Sequence, residues 1–189
     1  MNFPERYKAE IVSAVESIDL DEVNEVIALF KLTRNFGHNI FICANTNSGR
    51  TASRVVSDMM TRSSFGRSAR FRVMSLDDGP PVSASDQYGG DGEGVFVEQL
   101  KNFAEPNDVV VGISASGNSS SVVRALRYGA CIGCKTVAMT GLDDGQLGAL
   151  ADISVHVGST QLGTVEDTHI IICHMIGSYF LDFDCQEAA

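Results

Sequence analysis

The sequence predicts a doubly wound α/β domain, in which a parallel β-sheet is covered by helices on both faces. Short apolar runs alternate along the chain with stretches of helical periodicity, which is the order expected of repeated strand–helix units. The runs are almost continuously apolar, and this is typical of strands that are buried on both faces. The chain has 189 residues, of which 44% are hydrophobic, so it is long enough to form one substantial core.

Five strands and seven helices follow from this pattern. The strands are predicted at residues 39–44, 71–76, 108–113, 135–140 and 152–157. The helices are predicted at residues 4–17, 21–36, 48–62, 94–103, 118–132, 145–150 and 164–183. Right-handed crossovers then give a three-layer αβα sandwich, with two helices before the sheet and a long helix after it. We expect one domain over residues 1–189, with an N-terminal helical extension at 1–37 and an αβα core at 38–189.

The charge and hydropathy of the chain limit the classes of molecule that it can bind. The formal net charge is −10 and the isoelectric point is about 4.7, whereas affinity for nucleic acid comes largely from Lys and Arg. No apolar run reaches the roughly 20 residues of a membrane span, and the N-terminus lacks the apolar core of a signal peptide. We therefore expect a cytoplasmic protein that binds neither nucleic acid nor membrane, while a small anionic metabolite is still allowed as a ligand.

The five cysteines do not indicate a disulfide framework, because their number is odd and the chain is not short. Cys131 and Cys134 form one CxxC motif, and no second pair completes a zinc ribbon. Both cysteines stand among small apolar neighbours where a helix should end, so we expect packing thiols rather than a redox or metal site.

A serine-rich corner follows the third predicted strand. Its five serines lie within eight positions and are Ser114, Ser116, Ser119, Ser120 and Ser121. Ligands of doubly wound sheets bind at the carboxyl ends of strands, where the first N–H groups of a helix attract an anion. Gly117 permits a tight turn, and Asn118 or Ser119 can cap the helix. Since no Walker or GxGxxG motif is present, the serine corner (residues 114–121) predicts a phosphate site that uses no lysine.

The first predicted strand ends in a similar polar corner, formed by Asn45, Thr46, Asn47 and Ser48. Its amides can hold the other side of the same ligand, or these residues can simply cap the next helix. Residues 77–94 are rich in Gly, Pro, Asp and Ser and predict a long loop beside the sheet, of a length that is usually functional or mobile.

Three segments resemble the sugar isomerase (SIS) domain family. They are GISASGNSSSVVRAL at 112–126, TVAMTGLDDGQLGALADISVHV at 136–157 and VEDTHIIICHMI at 165–176. The resemblance is strongest to the phosphoheptose isomerases, which convert sedoheptulose 7-phosphate to D-glycero-D-manno-heptose 7-phosphate. It implies a flavodoxin-like sandwich with a five-stranded parallel sheet, a homotetramer with sites between subunits, and in some members a zinc ion.

The resemblance also implies roles for particular residues. Asp58 and His174 match a catalytic pair that moves a proton between C1 and C2 through a cis-enediol, although the sequence does not assign which is the base. The implied substrate-binding residues are Asn45, Thr46, Asn47, Ser48, Asp86, Ser114, Ala115, Ser116, Ser119 and Glu166. No cofactor is required, and a weakly bound zinc ion has Asp58, Glu166 and His174 as its candidate ligands.

Two departures from the family pattern leave the activity open. The family's GNGGS is ANTNS here, so both glycines that let the backbone approach the sugar phosphate are replaced. A family histidine that can ligate zinc is Arg54 here, within i,i+4 reach of Asp58. Arg54 can tie up that carboxylate or hold a ligand phosphate. The alternatives are therefore a phosphosugar isomerase, a non-catalytic SIS module that binds a sugar phosphate or a protein partner, and a mutase or epimerase.

Two of the predicted helices carry further expectations. The second helix has an apolar stripe that needs cover, formed by Val26, Leu29, Phe30, Thr33 and Phe36. Thr164 and Asp167 resemble a capping box at the start of the last helix, although Asp167 can instead orient His174. We expect His169 to be a packed or interface histidine, and we assign no role to His156.

Overall fold

The computed structural model describes residues 2–44, 49–64, 68–76 and 94–183. The helices in these ranges are α1 (Phe3–Glu16), α2 (Leu20–Phe36), α3 (Gly49–Ser57), α4 (Val95–Phe103), α5 (Ser120–Ile132), α6 (Gly145–Leu150) and α7 (Leu162–Ser178). The strands are β1 (Asn39–Ala44), β2 (Arg72–Ser75), β3 (Val109–Ile113), β4 (Lys135–Thr140) and β5 (Ile153–His156). Two π-helical turns, Asp58–Arg62 and Tyr179–Phe183, continue α3 and α7.

The five strands form one parallel sheet in the order β2-β1-β3-β4-β5. The predicted αβα sandwich is confirmed, and each observed strand lies within one residue of its predicted bounds. The strand order reverses between β1 and β3, and doubly wound sheets bind ligands in the crevice at such a point. The fold therefore places the carboxyl ends of β1 and β3 at the position where a ligand is expected.

Each face of the sheet is covered by its own set of helices. One core contains residues of α4, α5 and α6, and the other contains residues of α1, α2, α3 and α7. Alternation along the strands assigns side chains to these cores: Ile40 and Ile42 of β1 face the second core, while Phe41 between them faces the first. Within the described ranges, no helix is long and apolar enough to cross a membrane.

Short-range polar contacts define the ends of the N-terminal helices. Asn2 and Glu5 form a capping box at the start of α1, with N···O distances of 2.9 and 3.0 Å. Asp19 accepts the Asp21 N–H at the start of α2, and α2 ends at Gly37, whose φ is +73°. These local signals explain why both helices lie within one residue of their predicted bounds.

Two aspartates fix the amino ends of the strands. Buried Asp108, just before β3, accepts the Asn39 N–H of β1 at 2.7 Å, and its other carboxylate oxygen accepts the Glu105 N–H at 2.9 Å. Before β5, Asp152 accepts the N–H and O–H of Thr136 in β4, at 2.8 and 3.0 Å. Both carboxylates thus accept hydrogen bonds from backbone N–H groups that would otherwise lack partners at the amino ends of the strands.

The apolar stripe of α2 is covered by the chain itself, with one exception. Val26, Phe30 and Thr33 are buried, and Leu29 packs partly against the same core. Phe36 is 75% exposed, so this end of the predicted stripe is the part that one chain leaves without cover. It is the last residue of α2, beyond the part of the helix that lies against the sheet.

The two cysteines of the CxxC motif have different surroundings. Cys134 is buried, its thiol donates to the Glu105 carbonyl with a 3.3 Å S···O distance, and burial raises its pKa to about 11. Cys131 is exposed at the end of α5. The prediction of packing thiols is therefore confirmed for Cys134 and wrong for Cys131.

Candidate functional site

The serine corner begins where β3 ends. Its first residue, Ser114, is buried and donates its backbone N–H to the Met139 carbonyl of β4 at 3.0 Å. The Gly117 N–H returns to the Ser114 carbonyl at 3.0 Å and closes a tight turn. The hydroxyl oxygens of Ser114 and Ser116 lie 3.4 Å apart. The two hydroxyls and the start of α5 therefore share one corner at the carboxyl edge of the sheet.

A neighbouring loop holds this turn in place. Gly117 has a φ of +65°, and a Cβ there would lie 2.3 Å from the Asp144 carbonyl oxygen, so only glycine fits. Its carbonyl accepts the Leu147 N–H at 2.9 Å, and the Asn118 side-chain oxygen accepts the Gln146 N–H at 3.1 Å. The serine corner is thus bonded to the start of α6 through its own backbone and the Asn118 side chain.

The capping expectation for α5 is only partly right. Ser119 occupies the N-cap position with an extended backbone, but its hydroxyl makes no capping hydrogen bond. The Asn118 side chain bonds to the Ser116 carbonyl and to α6 instead of to α5. Ser119 is half-buried and Ser116 is exposed, whereas Ala115 is buried.

The second polar corner follows β1, the strand that pairs with β3. Ala44 lies opposite Ile113 in the register, so the chain leaves the sheet at adjacent positions after these two strands. The residues predicted to bind substrate on that side, Asn45, Thr46, Asn47 and Ser48, lie outside the described residues, and so does Asp86. Their roles stay predictions.

Asp58 lies at the junction of α3 and its π-helical continuation. Its carboxylate accepts a hydrogen bond from the Arg54 guanidinium, with an Nε···Oδ2 distance of 2.9 Å. The Asp58 side chain is 13% exposed and the Arg54 side chain 54%. Of the two roles left open for Arg54, the structure shows the ion pair with Asp58.

The helix α7 carries Glu166, which is half-buried, and His174, which is exposed. It begins at Leu162, two residues before the predicted start, and Thr164 is buried within it. The predicted capping box is therefore wrong. Asp167 accepts a hydrogen bond from the Tyr7 hydroxyl of α1 at 2.5 Å, and this bond raises the pKa of Tyr7.

The candidate zinc ligands do not form a metal site within one chain. Among the described residues, no group of three or more His, Cys, Asp or Glu side chains could hold a metal ion. Asp58, Glu166 and His174 are all described, and the carboxylate of Asp58 is bonded to a cation instead. This donor set does not meet the need of zinc for at least three well-placed protein ligands.

A polar cluster that the sequence reasoning missed lies at the carboxyl ends of β4 and β5. The Thr140 hydroxyl donates to Asp144 at 2.6 Å and lies 2.9 Å from the Nδ1 atom of His156. Ser154 also donates to Asp144, at 2.9 Å. The Nε2 atom of His169 lies 3.0 Å from the Thr140 carbonyl oxygen. The available signal was the position of Thr140 and His156 at the carboxyl ends of their strands, where ligands bind in this class of fold.

Comparison with known proteins identifies the family. The SIS domain model matches residues 5–141. The chain belongs to the SIS domain family. It is 31% identical over 172 residues to a probable phosphoheptose isomerase from Thermoplasma volcanium, covering 88% of this chain and 87% of the relative.

Two solved structures of phosphoheptose isomerases share the fold. The structure from Neisseria gonorrhoeae is 22% identical, has a TM-score of 0.82 and is matched over 100% of both chains. The structure from Francisella tularensis is 16% identical, also has a TM-score of 0.82 and is matched over 94% of each chain. The whole arrangement of strands and helices is therefore that of the family.

The burial of His169 predicts a pH dependence of stability. Burial lowers the pKa of its imidazole below the usual value of about 6.5. The unfolded chain then binds this proton more readily, so the free energy of unfolding should fall as the pH drops below about 6.5. Urea unfolding between pH 7.5 and pH 5 should show a shallower decline for His169→Gln than for the wild type. Equal pH slopes for the two proteins would contradict this expectation.

Proposed function

We propose that the protein is a phosphosugar isomerase that interconverts an aldose and a ketose through a cis-enediol, with sedoheptulose 7-phosphate as the expected substrate. The observation that carries the proposal is its 31% identity, over 88% of the chain, to a protein named as a probable phosphoheptose isomerase. The position of the serine corner at the reversal point of the sheet supports it independently. A cytoplasmic location, expected from the N-terminal sequence, remains part of the proposal.

The serine corner is the proposed site of the substrate phosphate. The positive end of the α5 dipole favours an anion there, and the hydroxyls of Ser114, Ser116 and Ser119 add neutral donors. Because these donors are local, the acidic net charge of the whole chain does not prevent binding. The bonds from Gly117 and Asn118 to α6 hold the turn in shape before the phosphate arrives.

Asp58 and His174 are the proposed proton-transfer pair. A carboxylate and an imidazole can move one proton between C1 and C2 and others between the sugar oxygens, provided that they contact the reacting atoms. Asp58 begins the π-helical continuation of α3, and α3 packs against α7, which carries His174, on one face of the sheet. Glu166 on α7 is proposed to bind the sugar.

The Arg54–Asp58 ion pair is compatible with catalysis. The guanidinium is more than half exposed, so it can leave Asp58 without being buried elsewhere, although the Asp58 side chain is only 13% exposed. An i,i+4 pair on a helix surface contributes about 0.5 kcal/mol, and the lower exposure of Asp58 raises that cost. A substrate that takes Arg54 as a partner for its own oxygens can offset that cost.

We also propose that the protein is a homo-oligomer, with a tetramer as the expected form. Large apolar side chains are exposed on the two N-terminal helices, at Phe3 (67%), Leu20 (60%), Leu32 (56%) and Phe36 (75%). A second copy of the chain would cover this surface, and a shared site would bring further residues to Asp58 and His174.

Light scattering tests the oligomer. The wild type should be larger than a monomer at micromolar concentration, and replacing Leu32 and Phe36 together with serine should weaken the association because it removes buried apolar area. Phe103→Ser, which changes a 52% exposed residue on α4, is the matched control and should have no effect. A monomeric wild type would refute the oligomer and the shared site.

Calorimetry tests the phosphate site. Replacing Ser116 and Ser119 together with alanine should weaken binding of sedoheptulose 7-phosphate about a hundredfold or more, because each hydrogen bond to a charged group contributes about 1.5–3 kcal/mol. Ser68→Ala, at an exposed position before β2, serves as the control. Unchanged affinity in a folded double variant would show that the phosphate binds elsewhere.

Incorporation of solvent deuterium into C1 or C2 of sedoheptulose 7-phosphate tests the reaction. His174→Ala and Asp58→Asn should each slow exchange by about 10²–10⁴-fold while phosphate affinity stays nearly intact. His38→Ala, at the opposite edge of the sheet, should leave it unchanged. Arg54→His should leave exchange unchanged or raise it, because it removes the cation bonded to Asp58.

The same measurement separates the proposal from its alternatives. Binding of C6–C8 phosphoketoses without any exchange would make the protein a non-catalytic sugar-phosphate module. Exchange that survives both His174→Ala and Asp58→Asn would keep the reaction class but reject these two residues as its acid and base.

A further inference from the structure

Two successive carbonyl groups at the end of β4 bind different parts of the proposed site. The Met139 carbonyl accepts the backbone N–H of Ser114, the first residue of the serine corner, at 3.0 Å. The Thr140 carbonyl accepts the backbone N–H of Val157 at 3.0 Å and also lies 3.0 Å from the Nε2 atom of His169 in α7. The serine corner and α7 are thus bonded to two adjacent residues of β4, Met139 and Thr140.

The chemistry of the His169 contact is determined by its partner. A carbonyl oxygen only accepts hydrogen bonds, so Nε2 carries the proton and Nδ1 does not. The imidazole is 1% exposed, and its Nδ1 atom has no hydrogen-bond partner among the described residues. Since burial lowers the pKa of His169, the ring stays neutral near pH 7 and keeps this tautomer.

The bond from His169 differs in kind from the other buried contacts of α7. Val165, Ile172 and Ile176 pack against the core that α7 shares with the sheet, and such apolar contacts have little directional preference. A hydrogen bond to a strand carbonyl fixes both a distance and an angle. It therefore limits sliding and rotation of α7 over the sheet, which the apolar contacts alone would tolerate.

We propose that His169 is a positioning residue that sets α7, with Glu166 and His174, at the correct distance from the serine corner. The inference rests on the proposed function, in which the sugar is held between these two parts. Glu166 lies three residues before His169 and His174 five residues after it, so a shift of α7 moves both. A displacement of about 1 Å can reduce a rate about a hundredfold.

Three variants separate positioning from packing. His169→Gln keeps an N–H donor that reaches the Thr140 carbonyl, and His169→Leu keeps the apolar volume without the donor. If the leucine variant does not fold, His169→Asn replaces it, because its shorter amide does not reach. Thr168→Val is the matched control: this neighbour is fully buried, but its hydroxyl bonds to the Thr164 carbonyl within α7 itself.

Exchange of solvent deuterium into sedoheptulose 7-phosphate, measured per folded molecule, should respond as follows. His169→Leu should lower the maximal rate about 10–100-fold, while the affinity for inorganic phosphate changes less than about threefold because the bond from Ser114 to Met139 is retained. His169→Gln should recover the rate to within about threefold of the wild type. Thr168→Val should lower the urea midpoint without changing the rate.

Two results would overturn the positioning role. Equal rates for the leucine and glutamine variants would make His169 a packing residue only. A loss of phosphate affinity as large as the loss of rate would mean that the bond supports the whole edge of the sheet rather than the placement of α7.

Failure of the proposed function would be seen separately, as a wild type without exchange. Hydrogen–deuterium exchange of the backbone then decides the inference. Amides of residues 162–178 should exchange faster in His169→Leu than in His169→Gln, while those of residues 114–119 stay unchanged. Equal protection of residues 162–178 in the two variants would refute the inference.

Discussion

The parallel pairing of β1 with β3 determines where the crevice of this molecule lies and which parts of the candidate site border it. Ala44 stands opposite Ile113, and the helices that follow the two strands go to opposite faces, α3 to one and α5 to the other. The chain therefore opens a crevice at this one place along the edge. The serine corner borders it, and the proposed proton-transfer pair is carried on helices of the face to which α3 belongs.

Polar residues at the two ends of the strands bond to different kinds of partner. At the amino edge, Asp108 and Asp152 satisfy backbone donors of neighbouring strands. At the carboxyl edge, Thr140 and Asp144 link β4 to β5, and His169 links β4 to α7. Asp108 and His169 are buried, and removing the partner of such a group costs about 1–3 kcal/mol, whereas Asp152 and Asp144 are about half exposed. Of the two ends of the sheet, the one formed by the carboxyl ends of the strands borders the crevice.

The sequence was sufficient to predict elements that depend on residues close together along the chain. Strand bounds follow from continuous apolar runs, and i,i+4 spacing places Arg54 within reach of Asp58, although the sequence left open whether the two would pair. The sequence did not predict hydrogen bonds whose two partners are far apart along the chain. Asp167 has the spacing of a capping residue, yet its partner, Tyr7, is 160 residues away. The partner of His169 is likewise a backbone carbonyl of another element, and no side-chain pattern in the sequence reports it.

The unequal cysteines of the CxxC motif have a practical consequence. Burial holds the pKa of Cys134 at about 11 and that of Cys173 at about 12, so these thiols stay protonated and unreactive. Cys43 is fully buried in β1, while Cys131 is open to solvent. The 13 residues of α5 extend about 20 Å from the serine corner towards Cys131. Once Cys185 is replaced, a maleimide dye or surface tether can be attached at Cys131 without obstructing the crevice.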